Sequence, residues 1–185
     1  MSNVAGDQRE LVFPPLKKAK TDRDATELVC PSDPEEEEIE IPAMRNLRKG
    51  NWDDPEYAKQ RRLFQKQFKE SEGYDVDWDS MDYNFPGSIV DSRRDYDDQL
   101  SNKELMKLLI KTAIDEENEE AQGTQLKFVK YVTANVVAAK GFLFFITFWA
   151  KDLSAPNPEP KCYQAEVLWF MGDADVYEFR LRPTK

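Results

Sequence analysis

Histidine does not occur anywhere in the 185 residues. That absence removes Ser-His-Asp and Cys-His nucleophilic sites, His-ligated zinc and the commonest general base, and most hydrolase chemistry with them. Cysteine is almost as scarce: Cys30 and Cys162 form no C-x-x-C pair, so neither a zinc ribbon nor a disulfide framework is expected, and a reduced, intracellular compartment is the natural reading. Long apolar runs are missing too. The longest, Phe142 to Ala150, is about half the roughly 20 residues a bilayer-crossing helix needs, so no membrane partner is expected. The opening residues MSNVAGDQRE carry no basic and apolar stretch of the secretory kind, so export by that route is not expected. Positive charge is in the minority, with 26 Lys and Arg against 36 Asp and Glu for a net charge of −10. Such an excess argues against non-specific binding to nucleic acid or anionic lipid.

What is present divides into three stretches. Residues 1–45 hold eleven acidic and six basic residues, several prolines and the run Glu35 to Glu38; too little apolar surface is available for self-burial, and a disordered acidic tail is expected. Within it Pro14-Pro15-Leu16-Lys17-Lys18-Ala19-Lys20 places Lys17, Lys18 and Lys20 in the form of a nuclear-import peptide, with a solvated charge run as the competing reading. Nucleus, cytoplasm or both are the locations this leaves open.

Residues 46–98 read as a helix followed by a linker. Asp54 can cap a helix with Pro55 at its first position, and Tyr57, Leu63, Phe64 and Phe68 then form one apolar stripe before Gly73. The segment Asp75-Val76-Asp77-Trp78-Asp79 alternates acidic and apolar residues in the manner of a calcium loop, but Ser80 stands where the sharp turn needs glycine and Pro86 where a bidentate Glu belongs. A polar-faced extended segment packing through Val76 and Trp78 is expected instead, and no cofactor. Asn84 to Asp98 reads as a linker with turns.

Residues 99–185 carry the compact domain. Ser101-Asn102-Lys103-Glu104 is a capping box, and Leu105, Met106, Leu109, Ile110, Ala113 and Ile114 repeat at three- and four-residue spacing, which predicts an amphipathic helix. Four strand-like segments follow, Leu126 to Val137, Phe142 to Ala150, Cys162 to Phe170 and Val176 to Leu181, separated by short or turn-rich breaks. Sequential antiparallel pairing is the economical topology. The expected fold is therefore α+β: one long helix packed on a four- to five-stranded antiparallel sheet, with an extra N-terminal helix. Phe142 to Trp149 is apolar on both pleat faces, so a second cover is needed, from the upstream helix, the Tyr74 to Trp78 segment or a second copy of the chain. Acidic residues cluster in the tail, the linker and Asp115 to Glu120 rather than on core faces, so no enzymatic role is expected.

Several short stretches of this last part resemble the plant cystatins. Leu109-Ile110-Lys111-Thr112-Ala113-Ile114-Asp115-Glu116-Glu117-Asn118 follows that family's helix pattern Leu-Ala-Arg-Phe-Ala-Val-Asp-Glu-His-Asn, with Glu117 in place of the His. Lys127-Phe128-Val129-Lys130-Tyr131-Val132 is similar to Glu-Phe-Val-Arg-Val-Val, Gly141-Phe142-Leu143-Phe144-Phe145-Ile146-Thr147-Phe148-Trp149-Ala150-Lys151-Asp152 to Gly-Thr-x-Tyr-Tyr-Leu-Thr-Leu-Glu-Ala-x-Asp, and Tyr163-Gln164-Ala165-Glu166-Val167-Leu168-Trp169 to Tyr-Glu-Ala-Lys-Val-Trp. The resemblance implies a cystatin-like fold and a way of working: a wedge made of an N-terminal trunk and two hairpin loops fills the cleft of a papain-type protease without offering a cleavable bond.

It also implies which residues would form that wedge. The first loop, Gln-x-Val-x-Gly in the family, corresponds to Val137, Ala138, Ala139, Lys140 and Gly141, so only the glycine is kept. The second, Pro-Trp in the family, corresponds to Met171 and Gly172, removing an aromatic anchor of the kind that dominates interfaces. The stretch Tyr96-Asp97-Asp98-Gln99-Leu100, just before the helix, has no trunk glycine. The implied function is a non-enzymatic module that binds another protein through altered inhibitory loops. An active inhibitor of papain-like cysteine proteases is the first alternative and a nuclear adaptor the second. Ala138-Ala139-Lys140 tolerates extension, so a dimer that exchanges hairpins is a further expectation.

Overall fold

The computed structural model describes residues 39–121 and 123–184. The import residues Lys17, Lys18 and Lys20 lie outside them, as does most of the acidic tail. Ile39 to Arg45, grouped with that tail on composition, packs: Ile39 is buried beneath the sheet, Ile41 lies against the same core and Met44 against a second cluster.

Helix α1 spans Pro55–Glu70, and α2 spans Asn102–Glu120. Both start as their sequences predict. The Asp54 carboxylate accepts the Glu56 N–H at 2.9 Å, with Pro55 beginning the helix. Ser101 and Glu104 cap each other's backbone in a complete capping box. All six periodic apolar residues of α2 are buried. Its other end is tied to the sheet by Asn118, whose amide accepts from Leu126 N at 2.6 Å and donates to Leu126 O at 3.0 Å.

The sheet has five antiparallel strands in sequence order: β1 Gly87–Ile89, β2 Leu126–Ala139, β3 Gly141–Asp152, β4 Lys161–Phe170 and β5 Asp173–Leu181. Strand β1 corrects the reading of Asn84 to Asp98 as a linker. It pairs Gly87 with Val137 and Ile89 with Asn135, and three residues between turn-forming neighbours are too few to show a period of two. The last turn is also shorter than its composition suggests, because Asp173 already pairs with Phe170.

Both faces of β3 are buried from Leu143 to Phe148, each by a different cover, while Trp149 at the far end of the outer face is exposed. Phe144, Ile146, Phe148 and Ala150 join the core beneath α2. On the opposite face Leu143 and Phe145 pack with Tyr74, and the Phe68 ring meets Phe145 edge-on at 5.5 Å. The upstream helix and the Gly73 to Trp78 strap together supply this second layer from within the chain. Phe64, Trp78 and Met81 form its centre, with Val76 and Phe85 against them.

Candidate functional site

The β2–β3 and β4–β5 turns emerge side by side at one end of the sheet. Lys140 alone separates the paired Ala139 and Gly141. Gly141 has φ +109, and a Cβ there would sit 2.3 Å from the Trp169 carbonyl oxygen and 3.1 Å from Phe170 Cβ. Only glycine permits both the turn and this approach of β3 to β4. Ala138, Ala139 and Lys140 are exposed, and the Lys140 ammonium lies 5.8 Å from the Phe170 ring centre.

The second turn is the two-residue link Met171-Gly172, closed by the Phe170 and Asp173 pair. Both residues have positive φ, 53 and 85 degrees, the backbone of a type I′ hairpin, which suits Asn-Gly far better than a methionine. Met171 is 85% exposed at this tip. A strained apolar side chain projecting into solvent has no packing role, which makes it a candidate contact residue.

The third element at this end differs from the expectation. Tyr96 to Leu100 does not form a free trunk. Tyr96 is buried, edge-on to Phe142 at 5.4 Å. The Asp97 carboxylate accepts the N–H groups of Gln99 and Leu100, both at 2.8 Å, and the Trp169 indole N–H at 3.1 Å. These donors hold its pKa below the usual carboxylate value. The segment beside the first hairpin is instead Pro86-Gly87, through the Gly87 pairing with Val137. Its Pro-Gly dipeptide is visible in the sequence but reads there only as a turn. Upstream of it Phe85 stacks on Phe64 at 5.0 Å and on Tyr57 at 5.7 Å, so this leg is fastened to α1.

Val137, counted among the first-loop residues, is partly buried in the cluster of Tyr74, Leu143 and Phe145 and is not presented to a partner as a loop side chain would be. Thus Ala138, Ala139, Lys140, Gly141, Met171, Gly172 and Pro86-Gly87 share one edge, while Val137 belongs mainly to the packing behind it. A cavity of about 310 Å³ opens beside this edge, with Phe85, Pro86, Gly87, Ala138 and Phe142 in its walls and Arg94 among the residues around it. Its volume lies at the lower end of the range of small-molecule pockets and has room for an inserted side chain.

One titratable cluster lies elsewhere, on the outer face of β4 and β5. Glu166 sits directly opposite Glu178, and burial together with the Glu178 charge pushes the Glu166 pKa up. Glu178 accepts from the Tyr74 hydroxyl at 3.2 Å and from Arg180 at 3.0 Å; Arg180 also bonds Glu72. Tyr74, Glu178, Arg180 and Glu72 are linked to one another by these contacts, and Glu166 faces them across the pair of strands. Among the described residues no group of His, Cys, Asp and Glu side chains is arranged to hold a metal ion. No protein-family model matches this chain, and no curated protein matches it.

Proposed function

We propose that the chain is a non-enzymatic, cystatin-like protein-binding module that engages its partner through the edge formed by Lys140, Met171-Gly172 and Pro86-Gly87. The observation that carries this reading is the convergence of two hairpin turns and the start of β1 at one end of a helix-on-sheet layer. A wedge of this kind works by shape and backbone contact, so catalytic groups are not required.

The same residues argue against tight inhibition of a papain-type protease. Val137 is drawn into the outer-face packing, Ala139 offers little apolar area, Lys140 brings a charge to the first tip, and the leg before Gly87 is clamped by Phe85. Losing several anchoring contacts at about 2 kcal/mol each moves an affinity from nanomolar to micromolar or weaker. Residual papain activity titrated with the purified full chain tests this. No loss of activity at nanomolar protein is the expected result, and stoichiometric inhibition there overturns the reading in favour of an active inhibitor.

A further inference from the structure

Helix α1 buries Tyr57, Gln60 and Phe64 and turns the opposite face to solvent. At about 100° per residue, Lys59, Arg62, Lys66 and Lys69 fall within about 80° of arc on that solvent side, and all four are exposed. Lys59 reaches Glu56 at 3.6 Å and Lys66 reaches Glu70 at 3.9 Å, exposed pairs of the kind that hold a charge only loosely. Arg62 and Lys69 have no ion-pair partner among the described residues. Glu56 and Glu70 flank these four cations on the same side, so the face mixes both signs but keeps a net positive charge, in a chain whose net charge is −10.

A second feature lies on the flank of the helix, between this stripe and the buried face. Trp52 is 69% exposed, with the Arg61 guanidinium carbon 4.2 Å from the centre of its ring. The indole stands edge-on to Tyr57 at 5.9 Å. The chain leading to it passes so close to that ring that a Cβ on Gly50 would lie 2.0 Å from Tyr57 Cε2. An aromatic anchor is therefore held at the surface beside a guanidinium whose remaining donors are open to a carboxylate.

We propose that the solvent face of α1, with the Trp52 and Arg61 corner, docks an acidic peptide segment of a partner protein that alternates carboxylates with apolar side chains. Lys59 to Lys69 covers about 15 Å of helix, the length of four or five residues of extended peptide. The carboxylates of such a segment meet the stripe, and an apolar side chain on its edge reaches round the flank to Trp52. A nucleic acid fits less well, because a long polyanion extends past the stripe into the field of an otherwise acidic protein.

Fluorescence anisotropy on the full chain tests this, with a labelled peptide Glu-Asp-Leu-Glu-Asp-Phe-Glu-Asp, its Gln and Asn counterpart, and a single-stranded oligonucleotide as probes. The acidic peptide is expected to bind in the micromolar range and to weaken with added salt, while the amide counterpart does not bind. The double variant Arg62→Glu with Lys69→Glu should cut affinity about tenfold, and Trp52→Ala several-fold. Lys107→Glu with Lys111→Glu on α2 changes the net charge equally and should leave affinity within about twofold. Circular dichroism on each variant checks that the fold persists. Absence of acidic-peptide binding, an equal loss in the α2 variant, or tighter binding of the oligonucleotide overturns the proposal.

Discussion

The Trp78 indole N–H donates to Asn135 Oδ1 at 2.8 Å, in the buried layer between the sheet and the strap that covers it. The same asparagine donates its amide to the carbonyls of Gly73 and Tyr74 at 2.7 and 2.9 Å. One polar side chain on β2 thus satisfies three groups of the Gly73 to Trp78 segment, in an environment where an unmade hydrogen bond is costly. The outer layer is consequently fixed in register and does not rest on the sheet by apolar contact alone.

Replacing Asn135 by Ala leaves the Trp78 N–H and two carbonyls without this partner. The expected loss is about 3 kcal/mol of unfolding free energy, measured by urea denaturation. Trp78 fluorescence should shift toward that of a solvated indole before global unfolding.

Gly141→Ala forces a Cβ against the Trp169 carbonyl at a position with φ +109. Turn strain and the clash together should cost about 2 kcal/mol or more. Opening the Ala139-Lys140-Gly141 turn relieves both, so the variant should convert toward a hairpin-exchanged dimer. Size-exclusion chromatography with light scattering reads the mass, and an unstrained monomer of wild-type stability counts against this account of the turn.

Met171→Asn places a residue suited to the left-handed backbone at the second tip. Stability should rise by about 0.5–1 kcal/mol in thermal or urea unfolding. If the tip touches the partner, affinity falls while stability increases, and the opposite signs separate contact from folding.

Glu166 has its folded-state pKa raised above 4.5 by burial and by Glu178. The protonated form is therefore favoured in the fold: its contribution is full below the unfolded pKa and is lost as pH rises through the folded one. Glu166→Gln removes that loss. It should stabilise the protein at neutral pH by about 0.5 kcal/mol, the scale of a like-charge cross-strand pair, and the gain should vanish in acid. Paired unfolding curves across the acid-to-neutral range check the slope.

Much of the inner layer was legible in the chain. The Ser101 to Glu104 cap and the spacing from Leu105 to Ile114 act within one or two helical turns, and the long β2 and β3 segments are rich in β-branched and aromatic residues. Their local signals and the tertiary packing agree. The hairpin edge was legible in part. Lys140, Gly141, Met171 and Gly172 sit at or beside the turn tips, where the resemblance to the cystatin loops puts them, whereas Val137, counted with the first loop, and Tyr96 to Leu100, at the trunk position, are held by packing. Val137 follows the pleat into the outer-face cluster, and Asp97 is captured by the Trp169 indole, a partner distant in sequence.

Residue order alone settles where each helix starts, which of its faces is apolar, and that a two-faced strand at Phe142 to Trp149 must be covered twice. Those properties follow from periods of 3.6 and two residues and from caps within reach of a few bonds. Which element would provide the second cover, that a three-residue β1 would pair with β2, and that Pro86-Gly87 would stand beside the first hairpin were decided by contacts between remote segments. Asn135 meeting Trp78 and Phe85 lying on Phe64 and Tyr57 are energies of juxtaposition, and no local pattern in the chain records them.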